Sequence, residues 1–164
     1  MAPLPARREA SLPILEDDGT FRRWTVFDKS KWPPGPWHEE PDKQHWVDAA
    51  TGYDCLVQRN HTGALCGYVG VGAEHVLQGV DYSDLDELIE VHGDLTYSGR
   101  WIVPGARDEI WWLGFDCGHA GDLWPHPAYN QLPSTQAPFA AYRDLPYVQA
   151  QCEHLAMQIS KVRR

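Results

Sequence analysis

The chain has 164 residues, a length that suits one domain with its own hydrophobic core. Its hydrophobic fraction of 43% and charged fraction of 23% are those of a globular protein, not of a disordered one. No apolar run approaches the roughly 20 residues of a membrane-spanning helix, and the N-terminus lacks the apolar stretch of a secretory signal. We therefore expect a cytoplasmic protein with no membrane partner.

The net charge of −9 is unevenly distributed along the chain. Between Arg59 and Arg100 the sequence contains seven acidic residues and no Lys or Arg. Such a surface repels a nucleic-acid backbone, so we expect no DNA or RNA partner. A solvated acidic face, a bound cation, a basic partner protein and mimicry of a polyanion all remain open.

The four cysteines, Cys55, Cys66, Cys117 and Cys152, form no CxxC pair. Without a secretion signal they are expected to be reduced thiols.

The first half of the chain predicts an irregular tail over 1–20, followed by a single domain over 21–164. A first strand is expected over 21–27, and then a stiff loop with three prolines. Pro41 and Gly52 suggest the ends of a short helix over 41–50. Runs 54–59 and 64–71 flank the turn sequence NHTG and predict a β-hairpin. Glycines in its second strand suggest a bulge or a close approach of another backbone.

The second half predicts a short helix over 84–91, strands over 94–98 and 109–117, and a long loop over 118–141. Apolar residues from Leu145 to Ile159 recur at spacings of three and four, which predicts a C-terminal helix capped by Asp144. The fold class is therefore α+β. We expect a small antiparallel sheet of about five strands, with the C-terminal helix packed on one face and long functional loops.

Two polar clusters follow these strands, FDCGHAGD at 115–122 and VHGDLTYSGR at 91–100. Glycines beside the polar residues permit sharp turns and the close approach of a ligand. If the two strands are neighbours, the clusters meet. The candidate catalytic residues are His92, Asp116, His119 and Asp122.

The same side chains, together with Asp94, have the nitrogen and oxygen donors that suit Zn²⁺, Mn²⁺ or Fe²⁺. No recognised ligand template is present, so a divalent metal is one possibility beside a metal-free acid–base site. A third reading makes Cys117 a nucleophile and His119 its base, although the acidic surroundings oppose a thiolate. A fourth is structural, with the carboxylates bonding loop amides and the histidines packing in the fold.

Four further residues are expected to contact a ligand: Trp37, Tyr97, Ser98 and Trp112. Trp37 lies in GPWHEEPD, a loop that forms either one wall of a pocket or a cover over the core.

The blocks GPWHEEPD, LCGYVGV, HGDLTYS and WWLGFDCGHAGD, followed by YRDLPYVQAQC, resemble a group of small proteins of bacteriophages and bacterial genomes, often prophage cargo. The resemblance covers roughly residues 28–158. In the group's pattern a second glycine stands where this chain has Asp94. The resemblance implies a cytoplasmic location and a role in the contest between phage and host.

These observations give two functional hypotheses. In the first, the chain is a phage-type accessory protein with a small-molecule or catalytic pocket formed by the 91–98 and 115–122 loops. If the chain is an enzyme, we expect hydrolysis as its reaction class. In the second, it is a non-catalytic acidic inhibitor, or a ligand-sequestering protein, that acts against a host factor.

Overall fold

The computed structural model describes residues 14–132 and 138–163. Its centre is one antiparallel sheet with the strand order β1-β2-β3-β4-β5-β7-β6, followed by a single C-terminal α-helix. The α+β class is confirmed, but the sheet has seven strands among the described residues and not about five. The elements are β1 Ile14–Asp17, β2 Phe21–Trp24, β3 Lys43–Val47, β4 Asp54–Arg59, β5 Leu65–Val71, β6 Tyr97–Arg100, β7 Trp111–Asp116 and α1 Leu145–Lys161.

Two of these strands were not anticipated. β1 lies in the tail that was predicted to be irregular, and it pairs with β2 across a tight turn. The helix predicted over 41–50 is wrong, because this segment forms β3 between β2 and β4. Three consecutive side chains of β3, those of Gln44, His45 and Trp46, are buried. Neighbouring residues of a strand point to opposite faces, so both faces of β3 are covered. Pairing on both sides outweighed the helix-end signals at Pro41 and Gly52.

The predicted hairpin is confirmed as β4 and β5, which pair from Asp54 with Gly70 to Arg59 with Leu65. β5 then pairs with β7, which places its glycines in the centre of the sheet. A Cβ on Gly67 would lie 2.3 Å from Phe115 Cζ and 2.7 Å from Cys152 Sγ. The close approach expected of these glycines is therefore the packing of α1 against the sheet.

Other boundaries move by a few residues. The strand expected over 21–27 ends at Trp24, and the strand expected over 94–98 is β6. The helix expected over 84–91 is a 3₁₀ turn, Tyr82–Leu85. Asp81 explains where this turn begins, because its side chain accepts a hydrogen bond from the Ser83 amide.

α1 confirms the clearest sequence prediction. The Asp144 side chain accepts a hydrogen bond from the Tyr147 amide, and Pro146 occupies the first turn. One helix face packs on β4 and β5 and buries Val148, Cys152, Leu155 and Ile159. None of the described helices is long and apolar enough to cross a membrane. All four cysteines are buried free thiols, as expected.

The other face of the sheet is covered by the connection between β6 and β7. Val103 and Ile110 from this connection pack on Leu56 and Trp112 and form a second, smaller core. The sheet is thus covered on both faces, and the polar clusters lie where β7 ends and α1 begins.

Candidate functional site

The structure brings together all four candidate catalytic residues. The ring centroids of His92 and His119 lie 6.1 Å apart. Asp116 ends β7, and Asp122 lies in the turn that follows it. A one-residue parallel bridge between Asp122 and Ala141 holds that turn beside the segment leading into α1. We call His92, Asp116, His119 and Asp122 the histidine cluster.

The buried half of the histidine cluster is a continuous chain of hydrogen bonds. His92 Nε2 lies 2.9 Å from Asp122 Oδ2, and His92 Nδ1 lies 2.8 Å from the Tyr147 hydroxyl. The backbone amide of His92 also donates to Gln151 Oε1 on α1. Both ring nitrogens are therefore occupied, and the imidazole is fixed between the 115–122 loop and the helix.

Asp122 is the anchor of this chain. Its Oδ1 accepts a hydrogen bond from Arg143 Nε at 3.0 Å, and its Oδ2 also accepts one from the His119 amide at 3.1 Å. Burial alone would raise the pKa of Asp122, but the hydrogen bonds from His92, Arg143 and the His119 amide hold it below its ordinary value. The carboxylate is therefore ionised and fixes the orientation of the His92 ring.

The open half of the histidine cluster is the pair His119 and Asp116, whose side chains are 37% and 33% exposed. His119 Nε2 lies 3.3 Å from Asp116 Oδ1 but makes no hydrogen bond among the described residues. Asp116 is instead held by the Gly118 amide and the Thr96 hydroxyl. Asp116 is therefore held in place, while His119 Nε2 has no hydrogen-bond partner among the described residues.

Gly93 sets the position of His119. Its φ is 64°, and a Cβ there would lie 2.2 Å from His119 Nε2. The imidazole therefore packs directly on the Gly93 backbone. Asp94, with φ 65°, also adopts the left-handed conformation. Its side chain is exposed, so the structure gives it no place in the cluster.

Chemically, the arrangement can pass a proton. When His92 is neutral and its Nε2–H donates to Asp122, Nδ1 is free to accept a hydrogen bond from the Tyr147 hydroxyl. With charged His92, Nδ1–H donates to the Tyr147 oxygen, and the hydroxyl proton is free to go to another group. The order of Tyr147, His92 and Asp122 is that of a hydroxyl, its base and the carboxylate that orients the base.

The hypothesis of a divalent metal site finds no support in the geometry of the histidine cluster. Among residues 14–132 and 138–163, no group of three or more His, Cys, Asp or Glu is arranged to hold a metal ion. The ring nitrogens of His92 are already engaged. The nucleophilic reading of Cys117 is also disfavoured, because burial raises the pKa of its thiol far above neutrality.

The four residues expected to contact a ligand are dispersed. Trp37 is buried, and its Nε1 donates to the Pro33 carbonyl. Trp112 is 0% exposed, with its Nε1 donating to the Trp101 carbonyl. The Ser98 hydroxyl accepts a hydrogen bond from the Tyr82 amide, and the half-buried Tyr97 ring packs against Trp101. These contacts support the fold, and none of them is with the histidine cluster.

Sequence reasoning missed Arg143 and Tyr147. Both lie in the YRDLPYVQAQC block and are four residues apart, with the Arg143 guanidinium 5.1 Å from the centre of the Tyr147 ring. The start of α1 was assigned to core packing because its apolar periodicity is strong. The polar residues between the apolar positions were the available clue.

The chain matches no family model, no curated protein and no solved structure.

Proposed function

We propose that the chain is a hydrolase whose active site is the histidine cluster with Tyr147 and Arg143. The observation that carries this proposal is the hydrogen-bonded chain from Asp122 through His92 to the Tyr147 hydroxyl. A neutral imidazole has one donor and one acceptor nitrogen, and both nitrogens of His92 have a polar side-chain partner. Here a buried carboxylate fixes one ring nitrogen and leaves the other against a hydroxyl, which is the arrangement that general acid–base catalysis requires.

His119, Tyr147 and His92 carry the proton transfers in this proposal. His119, the more exposed imidazole, accepts a proton from water as the water oxygen bonds to the electrophilic atom of the substrate. The bond to the leaving group breaks, and the Tyr147 hydroxyl gives its proton to the leaving group. Charged His92 then returns a proton to Tyr147. His119 finally loses its proton to solvent, and His92 regains one, so the balance is one water consumed for each bond broken.

The test is a screen of chromogenic esters, amides, phosphodiesters and glycosides with the purified chain. The variants His119→Ala and Tyr147→Phe should each lower any activity by about 10²–10⁴-fold while keeping the circular dichroism spectrum. His154→Ala is the matched control, because His154 is exposed on α1 and outside the cluster. Activity that survives both cluster variants, or that falls equally in the control, would refute the assignment.

We also propose that the protein is a phage-type accessory protein acting in the cytoplasm. The resemblance of its sequence blocks to those of phage and prophage proteins supports this proposal. Fractionation of cells that express this chain, probed with an antibody against it, should find it in the cytoplasm. Recovery from the periplasm or the medium would contradict it.

A second candidate function is the acidic inhibitor, and a specific surface favours it. Asp84, Asp86, Glu87 and Glu90 are all exposed, with no ion pair to any described residue, and Leu88 among them is 66% exposed. An inhibitor of this kind should tolerate His119→Ala and fail when the four carboxylates are replaced by amides. An enzyme should show the reverse pattern.

A further inference from the structure

Two ring nitrogens in the loop after β7 lack the partners that buried polar groups normally have. Among the described residues, His119 Nε2 and Trp124 Nε1 are the buried side-chain nitrogen or oxygen atoms without a hydrogen bond. A buried polar atom left without a partner is costly, so such atoms normally mark a place for a further group. The indole nitrogens of Trp37, Trp111 and Trp112, in contrast, each donate to a backbone carbonyl.

The two nitrogens flank one carboxylate. Asp116 Oδ1 lies 3.3 Å from His119 Nε2. The position of a Cβ on Gly118 would be 3.2 Å from Asp116 Oδ1 and 3.7 Å from Trp124 Nε1. The absent side chain of Gly118 therefore leaves the indole N–H and the carboxylate on the same side of the loop. The indole donor, the His119 ring nitrogen and a half-exposed carboxylate acceptor therefore face one small region.

The charges around this region restrict what it can bind. The unpaired indole N–H of Trp124 favours an acceptor atom and disfavours a cation. Asp116 has no ion pair with a Lys or Arg among the described residues, so its negative charge disfavours an anion. Asp122, in contrast, is already neutralised by Arg143. The group that suits both features is neutral and carries an acceptor beside a donor.

We propose that the site takes a carboxamide, with its carbonyl oxygen accepting from Trp124 Nε1 and its N–H donating to Asp116. This inference rests on the proposed function, because it places the amide beside His119 and names amides as the bonds that are hydrolysed. It makes Trp124 a residue that binds the substrate carbonyl. Hydrolysis would add water across the C–N bond and release a carboxylic acid and an amine.

The experiment compares benzamide, benzoate and benzamidine, which share their shape and differ in charge. The indole N–H resonance of Trp124 is assigned by its loss in Trp124→Phe, and that of Trp111 by its loss in Trp111→Phe. An unbonded indole proton resonates upfield. Benzamide should move the Trp124 resonance downfield, because a hydrogen bond deshields the proton. Benzoate and benzamidine should not, and the Trp111 resonance should stay in place with all three.

The second part of the experiment removes the negative charge of residue 116. Asp116→Asn removes the repulsion of anions, and benzoate should then move the Trp124 resonance as benzamide does in the natural chain. A Trp124 resonance that is already downfield, and that benzamide leaves unmoved, would show a bound water as its partner and overturn the inference. An equal response to benzoate in the natural chain would also overturn it. Benzamide binding without turnover of any substrate in the screen would support the site and refute the proposed hydrolase.

Discussion

Arg59 Nε lies 2.7 Å from Asp42 Oδ1, and both side chains are 0% exposed. Lys29 shares the same carboxylate oxygen, and the Arg59 guanidinium also donates to the Tyr142 hydroxyl. Tyr142 donates in turn to Glu40, whose other oxygen accepts the amide proton of Leu145 at the start of α1. The ion pair is therefore connected to the segment that carries Arg143 and Tyr147.

The first prediction concerns this buried network. Asp42→Asn leaves the Arg59 and Lys29 charges buried with one carboxylate fewer, and such a loss costs about 3–5 kcal/mol of unfolding free energy. Urea denaturation followed by circular dichroism measures it. Asp84→Asn is the control, because this exposed carboxylate should change stability by less than about 0.5 kcal/mol. A similar midpoint for both variants would mean that the network contributes little.

The second prediction concerns acid. Burial tends to raise the pKa values of Asp42, Asp54 and Asp122, but hydrogen bonds from cationic side chains and backbone amides leave all three below the ordinary value of 3.8. A carboxylate with a depressed folded-state pKa stabilises the fold above its unfolded pKa, and this stabilisation is lost as the pH falls through the folded value.

Unfolding free energy should therefore decline as the pH is lowered from about 4 towards 2. Urea denaturation at a series of pH values measures the decline, and Asp42→Asn should flatten part of it. A stability that is constant across this range would contradict the three assignments.

Much of the fold was predictable because its determinants are local. The β4–β5 hairpin is specified by its turn, and α1 by its periodicity and the Asp144 cap. β3 was not, because residues 43–47 become a strand only through pairing with β2 and β4, and that pairing is invisible in the segment itself. β1 was missed for a similar reason, since its four residues gain their stability from β2.

The candidate site was predictable in part. His92 and His119 come together because β6 and β7 are neighbours, which their sequence order and short connection made a reasonable expectation. The division of the cluster into a buried, hydrogen-bonded half and an open half was not predictable. Which histidine is saturated depends on Tyr147, from a helix 55 residues further along the chain. Periodicity identified that helix as a core element and gave no information about the polar side chains at its start.

The third prediction separates Tyr147 from an ordinary tyrosine beside a histidine. Tyr147→Phe should lower kcat by about 10²–10⁴-fold, the usual contribution of an acid–base group. It should cost about 0.5–1.5 kcal/mol of stability, the worth of one hydrogen bond. Steady-state kinetics on the substrate found in the screen measures the first effect, and urea denaturation the second.

Tyr53→Phe is the matched control for Tyr147→Phe. The Tyr53 ring meets His75 at 5.6 Å and 87°, nearly the geometry of Tyr147 and His92 at 5.5 Å and 89°, but it lies outside the cluster. Its kcat should stay within twofold of the natural chain. Equal losses in the two variants would show that the Tyr147 hydroxyl has no special role.

The last prediction concerns Gly93, whose backbone supports the His119 ring. Gly93→Ala introduces two costs: a left-handed backbone at φ 64° that disfavours any Cβ, and a contact 2.2 Å from His119 Nε2. Gly79→Ala introduces the first alone, because Gly79 has φ 81° and open space where its Cβ would lie. Both variants should lose about 1–2 kcal/mol of stability from the backbone. Only Gly93→Ala should also displace His119, lower kcat and shift the His119 ring resonances. Equal kcat values for the two alanine variants would show that the position of His119 does not limit the reaction.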